Sequence, residues 1–483
     1  MNMVSLFLGL ILFLNILLAT FVVFRERRDI GSTWAWLFVL YFIPLLGFVL
    51  YLLFAQNYRR LHLFEWKDID RIGSEEEAEE QLAWVLSDGR AVVVNPAAKG
   101  NLDLVTLNLN ASHAVLSENN EVELLLDGKR KFECLFRDIA DAKDHIHVQY
   151  YIVQRDELGR KLIKALADKA RDGVSVRLLY DELGSRRVTP SFLKELRDAG
   201  GVAEAFFPSQ FRLINFRLNY RNHRKLVVID GKIGYVGGFN VGNEYLGLDP
   251  KFGYWRDTHL RIQGGAVQAM QTRFILDWNQ ASRQEDIRYR SELFPEPETV
   301  GTAGVQIVSS GPESKLEHIK NGYVKMISVA RKSILIQTPY FVPDAGFTDA
   351  LQIAALSGVE VVVMIPDKPD HPFIYWATMS NIGEMLKSGV SVYLYRNGFI
   401  HAKTIVVDEE IASVGTANMD VRSFKLNFEV NAFLYDAGIS KKLADAFRQD
   451  IRVSEELTLE SYARRSRWIR VKESVSRLIS PIL

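Results

Sequence analysis

The strongest constraint on this chain is a pattern that occurs twice in one register. His223, Lys225, Asp230, Gly237 and Asn240 spell H-x-K-x4-D-x6-G-x2-N, and His401, Lys403, Asp408, Gly415 and Asn418 repeat it without an insertion. A chance match would have to happen twice at the same spacing, so the two copies point to a duplicated fold and to one active site built from two half-sites. The surroundings repeat as well. KDHIHVQYYIV from Lys143 is a β-branched strand pattern, followed by a helical segment over Gly159–Asp172 and a strand over Val174–Tyr180. KSILIQTPYFV from Lys332 answers it, with a helical segment over Thr348–Leu356 and a strand over Val359–Ile365. Gln149 and Gln337 hold matching places in the first strands, and Gly173-Val174 and Gly358-Val359 open matching later strands. Strands alternating with helices predict βαβ units in a parallel or mixed sheet, an α/β fold made of two repeats.

Spacing within each motif carries the chemistry. His223 and Lys225 are two apart on a segment that continues Leu226–Ile229. Positions i and i+2 of a strand project from one face, so both can reach one phosphate. Asp230-Gly231 signals a hairpin before the returning strand Ile233–Val236. With Gly231 and Lys232 as turn residues, 230 pairs with 233 and the ladder brings His223 opposite Asn240. A second hairpin centred on Glu409 and Glu410 brings His401 opposite Asn418. Gly237-Gly238 and Gly415-Thr416 precede the asparagines, where a missing or small side chain lets backbone approach a ligand or bends the strand. Asp230 and Asp408 have odd parity relative to their histidines, so they either orient and charge-tune imidazoles from elsewhere or cap turns.

A phosphodiester is an anion that repels nucleophiles, and displacement at phosphorus builds charge on its non-bridging oxygens. Two lysines and two asparagines supply positive potential and hydrogen-bond donors for those oxygens. A neutral imidazole can attack phosphorus while a protonated one donates to the leaving alkoxide, and both states are accessible near neutral pH. This chemistry calls for no metal or other cofactor, and no HExxH or clustered His/Asp spacing suggests a metal site.

Charge bears on the partner. Fifty-nine basic residues balance 59 acidic ones, so no global field favours nucleic acid and an anionic partner must be held by local charge. Cys134 is the sole cysteine, which excludes an internal disulfide and suits a reducing compartment. Val4–Phe24 and Trp34–Phe54 are apolar runs, each close to the ~20 residues that span a bilayer, separated by a short loop holding Arg25, Arg27 and Arg28. No basic n-region precedes the first run and no small-residue cleavage site follows it, so a membrane hairpin is expected rather than a signal peptide. Arg59, Arg60, Lys67 and Arg71 follow the second run. The basic residues nearly tie between the two sides; the lone cysteine and the absent signal favour a cytoplasmic catalytic region.

The paired motif resembles the phospholipase D superfamily. ERRD at Glu26–Asp29, TWAWL at Thr33–Leu37, RNHRK at Arg221–Lys225, HAK at His401–Lys403 and NFEVN at Asn427–Asn431 resemble bacterial cardiolipin synthases over essentially the whole chain. The resemblance implies two phospholipase D-like α/β/α domains related by pseudo-two-fold symmetry behind a two-helix transmembrane hairpin. The corresponding division is a hairpin over 1–60, a linker and start of the soluble region over 61–120, domains over 121–295 and 296–450, and a basic amphipathic segment over 451–483. It implies transfer of a phosphatidyl group from one phosphatidylglycerol to another in a bacterial cell membrane, giving cardiolipin and glycerol through a phosphohistidine. His223, Lys225, Asp230, His401, Lys403 and Asp408 are the expected catalytic residues, with Asn240 and Asn418 on the phosphate and Glu429, Gly237 and Gly415 in support. His223 is assigned as nucleophile and His401 as acid/base, although symmetry allows the reverse. Gly238 departs from the superfamily pattern, where serine is common.

Other residues carry weaker signals. Glu429 could contact a histidine or an acceptor hydroxyl, whereas Glu244 reads as a structural partner and His145, His147 and His259 as packed. Phe206, Phe207, Phe211, Arg212, Phe216, Arg217, Tyr220, Arg221 and Arg224 crowd the first motif, as a lipid-headgroup interface or as a packed loop. Trp468, Val471, Val475, Leu478 and Ile479 recur at helical spacing among basic residues, an amphipathic helix facing membrane or core. The competing functions are a phospholipase D hydrolase, a tethered nuclease and a non-catalytic lipid-binding scaffold; the neutral charge disfavours the nuclease, and two complete His-Lys-Asn sets disfavour the scaffold.

Overall fold

A computed structural model describes residues 3–25, 30–43, 46–47, 50–51, 74–208, 219–283 and 286–479. Among them, sixteen strands form one sheet centred on the antiparallel pair Ser117–Leu125 and Ala303–Ser310. Outward from the first run His259–Gln263, Ile233–Gly237, Leu226–Ile229, His145–Tyr150, Ser175–Asp181 and Val202–Phe206. Outward from the second run Asn427–Tyr435, Ile411–Gly415, Thr404–Val407, Ser333–Gln337, Glu360–Pro366 and Ser391–Tyr395, with Ser454–Glu456 added at the edge. The order is the same on both sides, and each half mixes parallel with antiparallel pairs. The fold is therefore a duplicated mixed α/β architecture.

The apolar runs form strands because both sheet faces are covered. His145–Tyr150 is buried at every position. Helix Glu157–Arg171 lays Leu162, Ile163 and Leu166 on one face with Ile146 and Val148, and helix Ala266–Ala281 lays Phe274 and Trp278 on the other with Leu226 and Val228. Aspartates start the matching crossover helices: Asp156 accepts from the Gly159 N–H at 3.0 Å and Asp344 from the Phe347 N–H at 3.1 Å. Val228, Met270 and Trp278 share one apolar cluster with Val305, Val430 and Leu434, so the two halves bury a common core. Within 61–120, helices Ser74–Val92 and Leu102–Ser112 place Ala78, Leu104 and Leu109 in the core of the second half.

Both motif hairpins differ by one residue from the register expected. Ile229 pairs with Ile233 and Val407 with Ile411, leaving three-residue turns. Asp230 (φ 52°) and Gly231 (φ 63°) are left-handed in the first, Asp408 (φ 54°) and Glu409 (φ 58°) in the second. Aspartate tolerates that region better than most residues, and here its carboxylate is fixed as well. Asp230 accepts from the backbone N–H groups of Lys143, Asp144 and His145 at 2.8–2.9 Å. Asp408 does the same for Arg331, Lys332 and Ser333 at 2.7–2.8 Å. These carboxylates tie each hairpin to the start of the first strand of its repeat, which is the turn-capping alternative and not contact with an imidazole. Gly237 and Gly415 serve close approach of the neighbouring strand: an added Cβ would meet His259 Cα at 2.5 Å or Asn431 Cγ at 2.2 Å.

At the N-terminus, helix Met3–Arg25 packs on helix Ile30–Phe42, where Asn15 donates to the Leu40 carbonyl at 3.3 Å and Trp36 meets Tyr51 edge-on at 5.4 Å. Among the described residues no helix is long and apolar enough to cross a membrane. The second helix is described for 13 residues, and parts of both expected spans lie outside the described residues, as do Glu26–Asp29, Arg59, Arg60, Lys67 and Arg71. At the other end, helix Arg467–Ile479 exposes Trp468, Val471 and Val475 while burying Glu473 and Ser476. Its apolar residues Trp468, Val471 and Val475 therefore point away from the core.

Replacing Asp408 with Ala removes the acceptor for three backbone N–H groups and should cost about 1–3 kcal/mol. A lowered Tm with an unchanged kcat per folded molecule is expected; an unchanged Tm with lost turnover would return Asp408 to the chemistry.

Candidate active site

A cavity of about 380 Å³ lies between the halves, lined by His223, Asn240, His401 and Asn418 together with residues of both repeats. Each histidine is held by the opposite half. Arg221-Asn222 pairs in parallel with Asn427-Phe428, and the His223 N–H donates to the Phe428 carbonyl at 3.0 Å. Phe399-Ile400 pairs with Trp255-Arg256, and the His401 N–H donates to the Arg256 carbonyl at 2.7 Å. The side chains follow the backbone: His223 Nδ1 lies 2.9 Å from both Glu429 carboxylate oxygens, and His401 Nδ1 lies 2.6 Å from Asp257 Oδ2. An ionised carboxylate only accepts, so each Nδ1 carries the proton and each Nε2 keeps its lone pair.

Lys225 and Lys403 are fully buried, and each Nζ donates to the carbonyl of its own histidine at 2.5 Å. Asn240 accepts from the Ile152 N–H at 3.1 Å and donates to the Tyr245 hydroxyl at 3.1 Å. Asn418 Oδ1 has no partner among the described residues. The motif thus brings imidazoles and carboxamides to one cavity with the ammonium groups buried behind them, while Asp230 and Asp408 lie outside its lining.

Burial dominates the titration. It pushes both imidazoles down to about 4, Glu429 opposing at His223 and Asp257 opposing at His401. It also pulls Lys225 down to about 7 and Lys403 to about 8. Burial works against ionising Glu429, but His223, Lys225 and the Thr416 hydroxyl outweigh it and hold that carboxyl below its ordinary range. The resting site therefore holds neutral imidazoles, and a bound phosphate anion supplies the negative charge that lets one of them become the proton donor.

Asp257 escaped the sequence reading. WRDTH at Trp255–His259 parallels NFEVN at Asn427–Asn431, but it lies six residues further from its asparagine. Gly238 is explained by the same residue: an added Cβ would meet Asp257 Oδ1 at 1.9 Å, whereas its counterpart Thr416 donates to Glu429 Oε2 at 2.6 Å. His145 and His147 are packed, on Asp144 and Gln271 and on the Phe274 ring, and His259 is fully buried. Of the residues crowding the first motif, Phe206 and Phe207 are buried against Phe428, and Arg224 pairs with Asp277 at 2.6 Å in the interior. These take the packed alternative; Arg221 lines the cavity; Phe211, Arg212, Phe216 and Arg217 lie outside the described residues. Among the described residues no group of three or more His, Cys, Asp or Glu could hold a metal ion.

The family described as "Cardiolipin synthase, PLD-like domain" matches residues 135–276 and 323–451, and "Phospholipase_D-nuclease N-terminal" matches 7–56. The chain is 61% identical to the major cardiolipin synthase ClsA of Bacillus subtilis and 53% identical to a cardiolipin synthase of Listeria monocytogenes, each over 100% of both chains. The chain belongs to the cardiolipin synthase family. In fold it is similar to the crystal structure of a phosphatidylserine synthase of Haemophilus influenzae, with a TM-score of 0.62 at 14% identity, covering 79% of this chain and 100% of that one.

Two outcomes follow from this geometry. Asp257→Asn keeps the contact but frees the tautomer of His401, and should lower kcat by ~10²–10⁴ with the fold retained, as measured by steady-state turnover and circular dichroism. An unchanged kcat would contradict the clamp. For pH, each lysine loses its charge as pH rises through about 7 or about 8, so binding a phosphate anion should draw protons back onto the site. Calorimetric titration with orthovanadate at pH 8 in buffers of different ionisation enthalpy should report net proton uptake; release or no exchange would contradict it.

Proposed function

We propose that the protein is a membrane-attached cardiolipin synthase that works through a phosphohistidine. The observation that carries this is one cavity lined by two imidazoles, each held through Nδ1 by a carboxylate of the other half. In the first step Nε2 of one imidazole bonds to the phosphorus of phosphatidylglycerol as the P–O bond to glycerol breaks, and the other imidazolium gives its proton to the departing oxygen. In the second step a hydroxyl of another phosphatidylglycerol gives its proton to that second imidazole, its oxygen bonds to phosphorus and the N–P bond breaks. Both histidines return to their starting states. Lys225, Lys403, Asn240 and Asn418 supply the field and donors for the phosphate oxygens. His223 as nucleophile and His401 as acid/base is the order proposed.

Domains over 121–295 and 296–450 are the proposed catalytic units, framed by the N-terminal hairpin and the segment 451–483. The hairpin is read as two spans that leave the catalytic region cytoplasmic, supported by the apolar runs Val4–Phe24 and Trp34–Phe54. Attachment is further supported by helix Arg467–Ile479, on which Trp468 is 68% exposed, Val471 48% and Val475 50% among arginines. This helix rests on helix Pro372–Lys387, which supplies Ile374 and Ala377 to the cavity wall, through an Arg477–Glu384 pair at 2.9 Å. This contact supports a surface attachment next to the reaction site.

Purified protein given labelled phosphatidylglycerol should yield cardiolipin and glycerol in equal amounts, and His223→Ala or His401→Ala should each abolish turnover. Phosphatidic acid as the main product would make the protein a hydrolase, and near-normal activity in either variant would remove the shared site.

A further inference from the structure

The two halves match where the phosphorus must sit and differ around it. Gly237 pairs with His259 and Gly415 with Asn431, so Asp257 corresponds to Glu429 and Trp255 to Asn427. Counted from the histidines, Phe399 corresponds to Arg221; counted from the asparagines, Glu244 corresponds to Arg422. Three corresponding positions therefore read Arg221, Arg422 and Asn427 on one side and Phe399, Glu244 and Trp255 on the other. All except Phe399 line the cavity, and Phe399 packs on Trp255 at 4.9 Å. At these positions the first side carries two guanidinium groups and an amide, the second an aromatic wall and a carboxyl; Asp420, whose counterpart is Gly242, also lines the cavity near Arg422 and offsets part of that positive charge.

We propose that Arg221, Arg422 and Asn427 form a subsite for the acceptor lipid, gripping its phosphate and a glycerol hydroxyl while the other phosphate reacts at the histidines. This rests on the transferase reading and specifies how that site chooses phosphatidylglycerol over water. The acceptor is itself a phosphodiester anion, and in the product one glycerol joins two phosphates. The duplicated His, Lys and Asn sets converge on one phosphorus, so a second phosphate needs cations of its own, and arginine presents planar paired donors suited to it.

Two independent observations point to an anion with hydroxyls on this side. Arg221 and Arg422 are like charges held near each other: Arg422 NH1 and NH2 donate to Asn219 Oδ1 at 3.3 Å and O at 3.0 Å, and Arg221 NH1 to the Tyr220 carbonyl at 2.8 Å. Burial and then Arg221 lower the Arg422 pKa, with Tyr151, Asp420 and Asp181 offsetting in part, a direction that fits two guanidinium groups sharing one wall of the cavity. Separately, Asn427 is 5% exposed and donates through Nδ2 to Glu429 Oε1 at 3.1 Å, while its Oδ1 has no partner among the described residues. A buried amide oxygen fixed beside the cavity suits a hydroxyl donor.

Competing soluble acceptors separate the second phosphate from the alcohol. The full chain in phosphatidylglycerol vesicles is given labelled glycerol and labelled glycerophosphoglycerol, and phosphatidyl transfer to each is measured as kcat/KM. The native chain should prefer glycerophosphoglycerol by about tenfold or more, the scale of one or two charge-assisted hydrogen bonds. Arg422→Gln and Arg221→Gln should each cut that preference several-fold, with Arg422→Lys in between. An absent preference in the native chain, a retained one in the glutamine variants, or equal loss on both acceptors in both Arg422→Gln and Arg422→Lys would overturn the subsite. Failure of the transferase reading itself looks different: the native chain would then release phosphatidic acid and consume neither acceptor.

Discussion

Each imidazole of the cavity is fixed by a carboxylate from the other half of the chain, Glu429 on His223 and Asp257 on His401. A hydrogen bond to a charged group is worth about 1.5–3 kcal/mol, and these two lie where burial strips away competing water. The same strands also exchange backbone bonds across the halves, so side chain and main chain enforce one geometry. Neither half can complete its own site. The duplicated sheet, the common core of Val228, Trp278, Val305 and Val430, and the paired motifs all serve to hold this crossed arrangement.

The symmetry is kept by the paired histidines and asparagines of the cavity and abandoned around them. Two equivalent imidazoles suit a reaction that breaks one P–O bond and forms another of the same kind, since each group must act in both directions. The alcohols that leave and arrive are not equivalent, and the proposed acceptor subsite assigns that difference to the walls. Arg221, Arg422 and Asn427 line the cavity at positions that correspond to Phe399, Glu244 and Trp255 in the other repeat, and Lys225 and Lys403 are fully buried.

Local patterns made much of this legible. His-x-Lys on a β-branched run, the glycines before each asparagine and the repeat of whole βαβ units could be read from spacing, because each depends on residues close in sequence. Two features were hidden for physical reasons. The hairpin register slipped by one because Asp230 and Asp408 themselves enter the left-handed region, where their carboxylates tie down the first strand, and two-residue turn logic does not anticipate that. Asp257 was hidden because its partner lies 144 residues away, as Glu429 lies 206 from His223, and a six-residue insertion masks the parallel between the two carboxylates.

Convergence of both half-sites on a single phosphorus is tested most directly by stoichiometry. Quenching the full chain in alkaline denaturant during turnover of phosphatidylglycerol labelled in its phosphate should trap one labelled phosphate per chain, base-stable and acid-labile, on a histidine of the cavity. Two such groups per chain would mean two independent sites, and none under conditions of rapid turnover would mean direct displacement; either result contradicts the crossed, shared centre.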